Sequence, residues 1–269
     1  MVSRALAEDV GDGDRTAALI PATVISEARL VSRSEAVVCG APWFDKTFQH
    51  LDNTIGIIWR VKEGEAIHPD QTLCVLRGPA RALLTGERTA LNFLQTLSGT
   101  ATIARRYADA VRGIGVQVLD TRKTLPGLRY AQKYAVRCGG CHNHRMGLYD
   151  GVLIKENHIR AAGSIAAALR VAQSLAADVA LVEIEVRTVE ELREALGAGA
   201  NRILLDNFTL DNLRRAVAEN DGRAKLEASG GITLENIRVI AETGVDFISV
   251  GDLTKNVQAV DLSLLFDKQ

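Results

Sequence analysis

From about Gly115 to Val250 the sequence alternates repeatedly between short runs of β-branched and aliphatic residues and longer stretches with helical periodicity. The apolar runs are Val116–Leu119, Gly151–Ile154, Val179–Val186, Arg202–Leu205, Lys225–Ala228 and Phe247–Val250, and each reads as a buried parallel strand. Helical patterns fill the gaps at Ile159–Ala177, Thr188–Gly197, Leu210–Glu219 and Leu234–Thr243. The second of these opens with a Thr-x-x-Glu capping box, Thr188 and Glu191. Such alternation predicts a β/α barrel or an open doubly wound sheet.

The strand endings carry more information than the strands. They close on Asp120, Lys155, Glu183 with Glu185, Asp206, Ser229 and Gly251. In a β/α barrel the C-terminal strand ends converge on the active site. Any one strand leaves a core through a polar residue. Six such endings, with charges of both signs, predict a catalytic mouth.

Before about Gly78 the rhythm is absent. Strand-like stretches at Ala28–Val38, Ile55–Val61 and Leu73–Leu76 predict a smaller β-rich sandwich domain. Val61–Ile67 followed by Asp70–Leu73 has a superficial likeness to lipoyl-type and biotinyl-type domains, but no Lys sits at a hairpin tip, which argues against a swinging arm. Pro79–Leu97 places Ala80, Leu83, Leu84, Leu91, Leu94 and Leu97 on one helical face, with Arg88 projecting from that stripe. A guanidinium there calls for an anion, supplied by a ligand, a second subunit or a structural salt bridge. The expected fold is α/β: a sandwich domain with its linking helix over residues 1–98, then a β/α barrel over 99–269.

Charge sharpens the picture. The chain of 269 residues has a net charge of -1, yet between Asp120 and Arg160 eight Lys/Arg face three Asp/Glu, so this segment is +5 and the remainder -6. A basic spot in an acidic body favours a focused anion site over nucleic-acid binding, which needs a broad positive surface. No apolar run approaches the ~20 residues of a membrane span. The acidic start, without the basic and apolar parts of a signal peptide, together with only four cysteines, predicts a cytoplasmic chain with reduced thiols.

The densest chemistry is Asp120–Arg129, then Asn143-His144-Arg145, then Leu153–His158. Arg grips carboxylate or phosphate with a planar fork and Lys acts as a point charge, so the mixture suits a ligand bearing both groups. Glu183 and Glu185 lie two apart on one strand face, with Asp206 on the next strand, an arrangement that suits Mg²⁺ or ribose hydroxyls. Ser229-Gly230-Gly231 and Gly251 offer bare amides to a phosphate.

These runs, with Glu87–Asn92, Glu183–Val186, Leu204–Phe208 and Ser249-Val250-Gly251, resemble quinolinate phosphoribosyltransferases, the carboxylating nicotinate-nucleotide pyrophosphorylases, in order from about Asp9 to Leu265. The resemblance implies phosphoribosyl transfer from phosphoribosyl pyrophosphate to quinolinate with Mg²⁺, giving nicotinate mononucleotide, pyrophosphate and carbon dioxide in NAD synthesis. It implies that Arg88, Arg122, His144, Arg145 and Lys155 bind the quinolinate carboxylates, and that Lys123, with Lys155 and His144, meets the pyrophosphate. Glu185 and Asp206 would face the ribose hydroxyls and the metal, and Ser229, Gly230, Gly231 and Gly251 the 5′-phosphate. It further implies a homodimer or higher even oligomer in which Arg88 reaches a neighbouring subunit's site. Lys123, Lys155, Glu185 and Asp206 are the expected catalytic set.

Two features stand outside that pattern. Cys138-Gly139-Gly140-Cys141-His142 matches a haem-attachment motif, and with His144 it suggests a zinc or redox module; haem needs an exported chain, and zinc lacks a clear fourth ligand. Asp252 after Gly251 places an acid beside a phosphate site unless it points away.

Overall fold

The computed structural model describes residues 1–175 and 181–266. Two compact units emerge: Met1–Arg105 with Leu125–Gly140 and the chain from Asn256 on, and Arg106–Thr124 with Cys141–Lys255. The units are therefore not two consecutive stretches of chain. The first is rejoined twice after it is left.

The first unit is built on an antiparallel sheet in the order β12-β1-β5-β3, with β1 Ile25–Ser32, β3 Gly56–Trp59, β5 Thr72–Pro79 and β12 Leu262–Phe266. A small ladder pairs β2 (Ala36–Val37) with β4 (Ala66–Ile67). Helices α1 (Val2–Val10), α2 (Ala41–Leu51), α3 (Ala80–Ala110) and α4 (Arg129–Cys138) complete it. The core joins Leu30, Leu73 and Leu76 of the sheet to Phe44 and Phe48 of α2 and to Leu83, Leu91 and Leu94 of α3, with Leu262 and Leu264 closing it from β12. The α4 helix belongs here because Ala131 and Ala135 pack with Val37, Cys39, Leu97 and Ala101.

In α3 the predicted stripe is buried at Leu83, Leu91, Leu94 and Leu97, whereas Leu84 is 36% exposed. Arg88, one turn beyond Leu84, is exposed with it. Its guanidinium stands beside the stripe rather than in it, so burial imposes no demand for a counter-anion.

The second unit holds six parallel strands, β6 Gln117–Leu119, β7 Val152–Ile154, β8 Val182–Val186, β9 Arg202–Asp206, β10 Lys225–Ser229 and β11 Phe247–Ser249, hydrogen-bonded in the order β6-β11-β10-β9-β8-β7. One further parallel bridge joins Leu119 to His142. Among the described residues nothing pairs this bridge to β7, so the barrel is open along one seam. All six predicted strands are present; the expected strand residues Val179 and Ala180, and the helical Ala176 and Ala177, lie outside the described residues.

Helices α5 (Glu156–Ala162), α6 (Ile165–Leu175), α7 (Val189–Gly197), α8 (Leu210–Asn220), α9 (Ile237–Ala241) and α10 (Asp252–Lys255) follow the strands. The single helix expected from Ile159 is split. Gly163, at φ 90°, takes the left-handed conformation that closes α5, and Ser164 Oγ accepts the Ala167 N–H at 3.1 Å to start α6. The α9 helix is shorter than expected because Asn236 Oδ1 accepts the Thr233 N–H at 2.8 Å, forming a turn where the first helical turn was expected.

Candidate active site

Side chains on a strand alternate between faces, and the barrel uses that parity throughout. Leu153 and Lys155, Glu185, Leu204 and Asp206, Glu227 and Ser229, and Ser249 all point to one cleft of about 280 Å³, joined by Thr121, Arg122, Lys123, His144 and Arg145 from the loops after β6 and before β7. Register sets the depth: Glu185 pairs with Leu204, Glu227 with Leu204 and Ser229 with Asp206.

The cations are held in place. Lys155 Nζ lies 2.6 Å from Glu185 Oε2, with Lys155 half exposed and Glu185 buried. The Lys123 backbone is pinned twice, its N–H donating to Thr121 Oγ1 at 3.1 Å and its carbonyl accepting from Thr254 Oγ1 at 2.8 Å. Arg145 Nη1 donates to the Gly151 carbonyl at 2.8 Å. Burial, and then the like charge of Arg122, pull the Arg145 pKa down from its ordinary value. A guanidinium stays charged under such pressure, so the pair favours an anion between them.

Beneath the cleft lies a buried network. Arg202 Nε meets Glu183 Oε1 at 3.0 Å and its Nη2 meets Glu227 Oε2 at 2.5 Å, while the guanidinium stacks 4.0 Å above the Phe247 ring. His144 is held from both sides. Its Nδ1 accepts the Arg145 N–H at 2.7 Å, which leaves the proton on Nε2 to be donated to Glu183 Oε2 at 2.8 Å. Asp120, fully buried, accepts from the His144 N–H at 2.9 Å and from Asn143 Nδ2 at 2.6 Å. Both ring nitrogens of His144 are thus engaged within the protein.

The loops after β9 and β10 interlock. Asn207, at φ 57°, donates its N–H to the Ser229 carbonyl at 2.8 Å. Gly230 has φ 97°, and a Cβ there would lie 2.1 Å from Asn207 Oδ1, so only glycine fits. Asp252 opens α10 and sits 3.6 Å from Lys255 Nζ, which offsets its charge.

Arg122, Lys123, His144, Arg145, Lys155, Glu185, Asp206 and Ser229 therefore share one cleft, as the sequence reading expected. Gly230, Gly231 and Gly251 follow the ends of β10 and β11, and a Cβ on Gly251 would lie 3.2 Å from Lys123 Cδ. Arg88 belongs to the first unit and lines a small hollow with Asp9 and Asp14 instead. Arg202, Glu227 and Asn207 were not singled out. The available signal for Glu227 was its place two residues before Ser229, on the same strand face.

Comparison with known proteins fits this geometry. Family models of the N-terminal and C-terminal domains of quinolinate phosphoribosyl transferase match residues 14–98 and 100–265. A probable carboxylating nicotinate-nucleotide pyrophosphorylase of Bacillus subtilis is 44% identical over 257 residues, 96% of this chain and 89% of its own. The chloroplastic carboxylating enzyme of Arabidopsis thaliana is 40% identical over 100% of this chain and 82% of its own. The solved nicotinate-nucleotide pyrophosphorylase of Francisella tularensis superimposes with a TM-score of 0.95 at 44% identity, covering 99% of this chain and 94% of that one.

Proposed function

This chain belongs to the quinolinate phosphoribosyltransferase family, and from that premise we propose that it transfers the phosphoribosyl group of phosphoribosyl pyrophosphate to quinolinate with decarboxylation, giving nicotinate mononucleotide for NAD synthesis. The observation that carries the reading is the single cleft in which Arg122, Lys123, Arg145 and Lys155 face Glu185 and Asp206.

Charge accounting assigns the roles. Arg122 and Arg145 take the quinolinate carboxylates, a task that His144 serves by fixing the Arg145 backbone rather than through a free ring nitrogen. Lys123 and Lys155 stand where negative charge grows on the departing pyrophosphate, and their fixed positions lower the cost of reorganisation. Glu185 and Asp206 face the ribose, on which positive charge develops. They are also hard oxygen donors of the type Mg²⁺ prefers, and the bound ion would neutralise pyrophosphate charge. The bare amides from Ser229 to Gly231 and at Gly251 receive the 5′-phosphate. Nitrogen attack then makes a pyridinium, an electron sink for loss of the adjacent carboxylate, so this step needs orientation rather than an acid.

The same reading makes the protein an even oligomer in which the exposed Arg88 completes a neighbouring subunit's site, and gives it a cytoplasmic address. No helix among the described residues is long and apolar enough to cross a membrane.

The test is incubation with quinolinate, phosphoribosyl pyrophosphate and Mg²⁺, following nicotinate mononucleotide by chromatography, with nicotinate as control. Product should form from quinolinate, and nicotinate should be disfavoured by on the order of 10⁴, because it lacks the second carboxylate that Arg122 and Arg145 would grip. Absence of product from quinolinate overturns the reading.

A further inference from the structure

Away from the cleft, Cys39, Glu63 and Cys138 bring their sulfur and carboxylate atoms within 4.8 Å of one another. All four cysteines are free thiols, and Cys39 and Cys138 are the two that meet. Each is fixed by its backbone. The Cys39 N–H donates to Ser98 Oγ at 2.9 Å, and its carbonyl accepts from the same hydroxyl at 3.1 Å. Around Cys138, a Cβ on Gly64 would lie 2.9 Å from the Cys138 carbonyl oxygen, and one on Gly139 would lie 2.4 Å from the Ala101 carbonyl oxygen. Glu63 Oε1 accepts from Gly40 and Ala41 N–H at 3.0 and 2.8 Å, and Oε2 accepts the Cys138 thiol at 3.9 Å.

We propose that Cys138 and Cys39 are an oxidant-reactive pair, in which a peroxide oxidises Cys138 to the sulfenic acid and Cys39 resolves it as an intramolecular disulfide. Exposure sets the order of events, since Cys138 is partly exposed and Cys39 is fully buried. Protonation agrees with it. The hydrogen bond from Cys39, joined by the Tyr134 hydroxyl and the Arg137 charge, holds the Cys138 thiol below its ordinary value against burial and the charge of Glu63. The same bond to Cys138, and then burial, push Cys39 up. Cys138 is therefore the sulfur that is more easily deprotonated for attack, and Cys39 the thiol that waits.

The chemistry balances. The Cys138 sulfur attacks one peroxide oxygen, the O–O bond breaks, and hydroxide leaves as water after taking a proton. Cys39 sulfur then attacks the sulfenic sulfur, the S–O bond breaks, and the departing hydroxide takes the Cys39 proton. Two thiols are oxidised to one disulfide, and hydrogen peroxide is reduced to two waters. The Cys-x-x-Cys spacing of the sequence directs attention to Cys141, but it is Cys39 that shares the Cys138 cluster.

The test treats the purified protein with hydrogen peroxide, alkylates the remaining thiols and maps peptides without reductant. A peptide joining Cys39 to Cys138, reversed by dithiothreitol, is expected, with Cys138 reacting on the order of 10-fold or more faster than the buried Cys74. Cys39→Ser should strand Cys138 as a sulfenic acid that dimedone traps, whereas Cys138→Ser should leave Cys39 unoxidised. A Cys138–Cys141 link in place of the Cys39–Cys138 link in the peroxide-treated parent protein, or oxidation of Cys138 no faster than that of Cys74, overturns the proposal without recourse to the variants.

Discussion

At Glu227 the barrel interior keeps a carboxylate oxygen, Oε1, with no hydrogen-bond partner. Burial, and then the charge of Glu183, push this pKa up to about 7 against the pull of His144 and Arg202. Glu183 goes the other way: burial alone would raise it, but the hydrogen bonds and charges of His144 and Arg202 together hold it below its ordinary value. Of the two carboxyls it is therefore Glu227 that holds a proton toward neutrality, since burial and the Glu183 charge there outweigh Arg202 and His144. From 4.5 to about 7 the folded chain keeps a proton that the unfolded chain has released, so this stabilisation is full at low pH and lost as pH rises through that window. Glu227→Gln removes the titration. The stability of the parent relative to the variant should fall across that window by at most roughly 3 kcal/mol, read from urea unfolding at a series of pH values. A difference independent of pH would contradict it. At this scale the cleft was legible where its residues form contiguous motifs, as in Arg122-Lys123 and His144-Arg145. Arg202 and Asn207 were not, because each gains its meaning from a neighbouring strand that sequence spacing does not identify, and Glu227 was marked only by its spacing from Ser229.

Among the elements, the parallel strands were the easiest to read, since burial on both faces makes each an apolar run such as Arg202–Leu205. The break at Gly163 was hidden because one glycine within a helical pattern is tolerated as often as it terminates, and only its left-handed conformation decides. Strand β12 was missed altogether: its partner β1 lies near the other end of the sequence, and no local pattern points there. The start of α7 was readable in detail. Thr188 Oγ1 accepts the Glu191 N–H at 3.1 Å, but Glu191 returns its carboxylate to the Arg187 N–H rather than to that of Thr188, so the box is one residue wider than the motif predicts. Thr188→Ala should lower stability by about 1 kcal/mol, measured by denaturant unfolding, with activity at saturating substrate unchanged.

At the scale of the whole molecule, four of the eight cations of residues 120–160, Arg122, Lys123, Arg145 and Lys155, gather at the mouth of one barrel, where they meet the acidic ends of β8 and β9, while Arg129, Lys133 and Arg137 lie on α4 in the first unit. Arg88 lies outside that cleft, in an exposed position on α3, and the proposed sharing of sites between subunits accounts for both facts. Arg88→Ala and Arg122→Ala should each abolish turnover. Mixed under conditions that exchange subunits, they should recover about a quarter of the activity, the share expected when one site in a random mixed dimer is rebuilt intact. No recovery despite demonstrated exchange would count against a shared site. The return of β12 to β1 has a consequence for how the chain is made. On the ribosome the barrel strands emerge consecutively and can all be paired by Lys255, whereas the sheet of β1, β5 and β3 lacks its edge strand until Leu262–Phe266 appear. Of these two sheets, the one begun earlier is completed later.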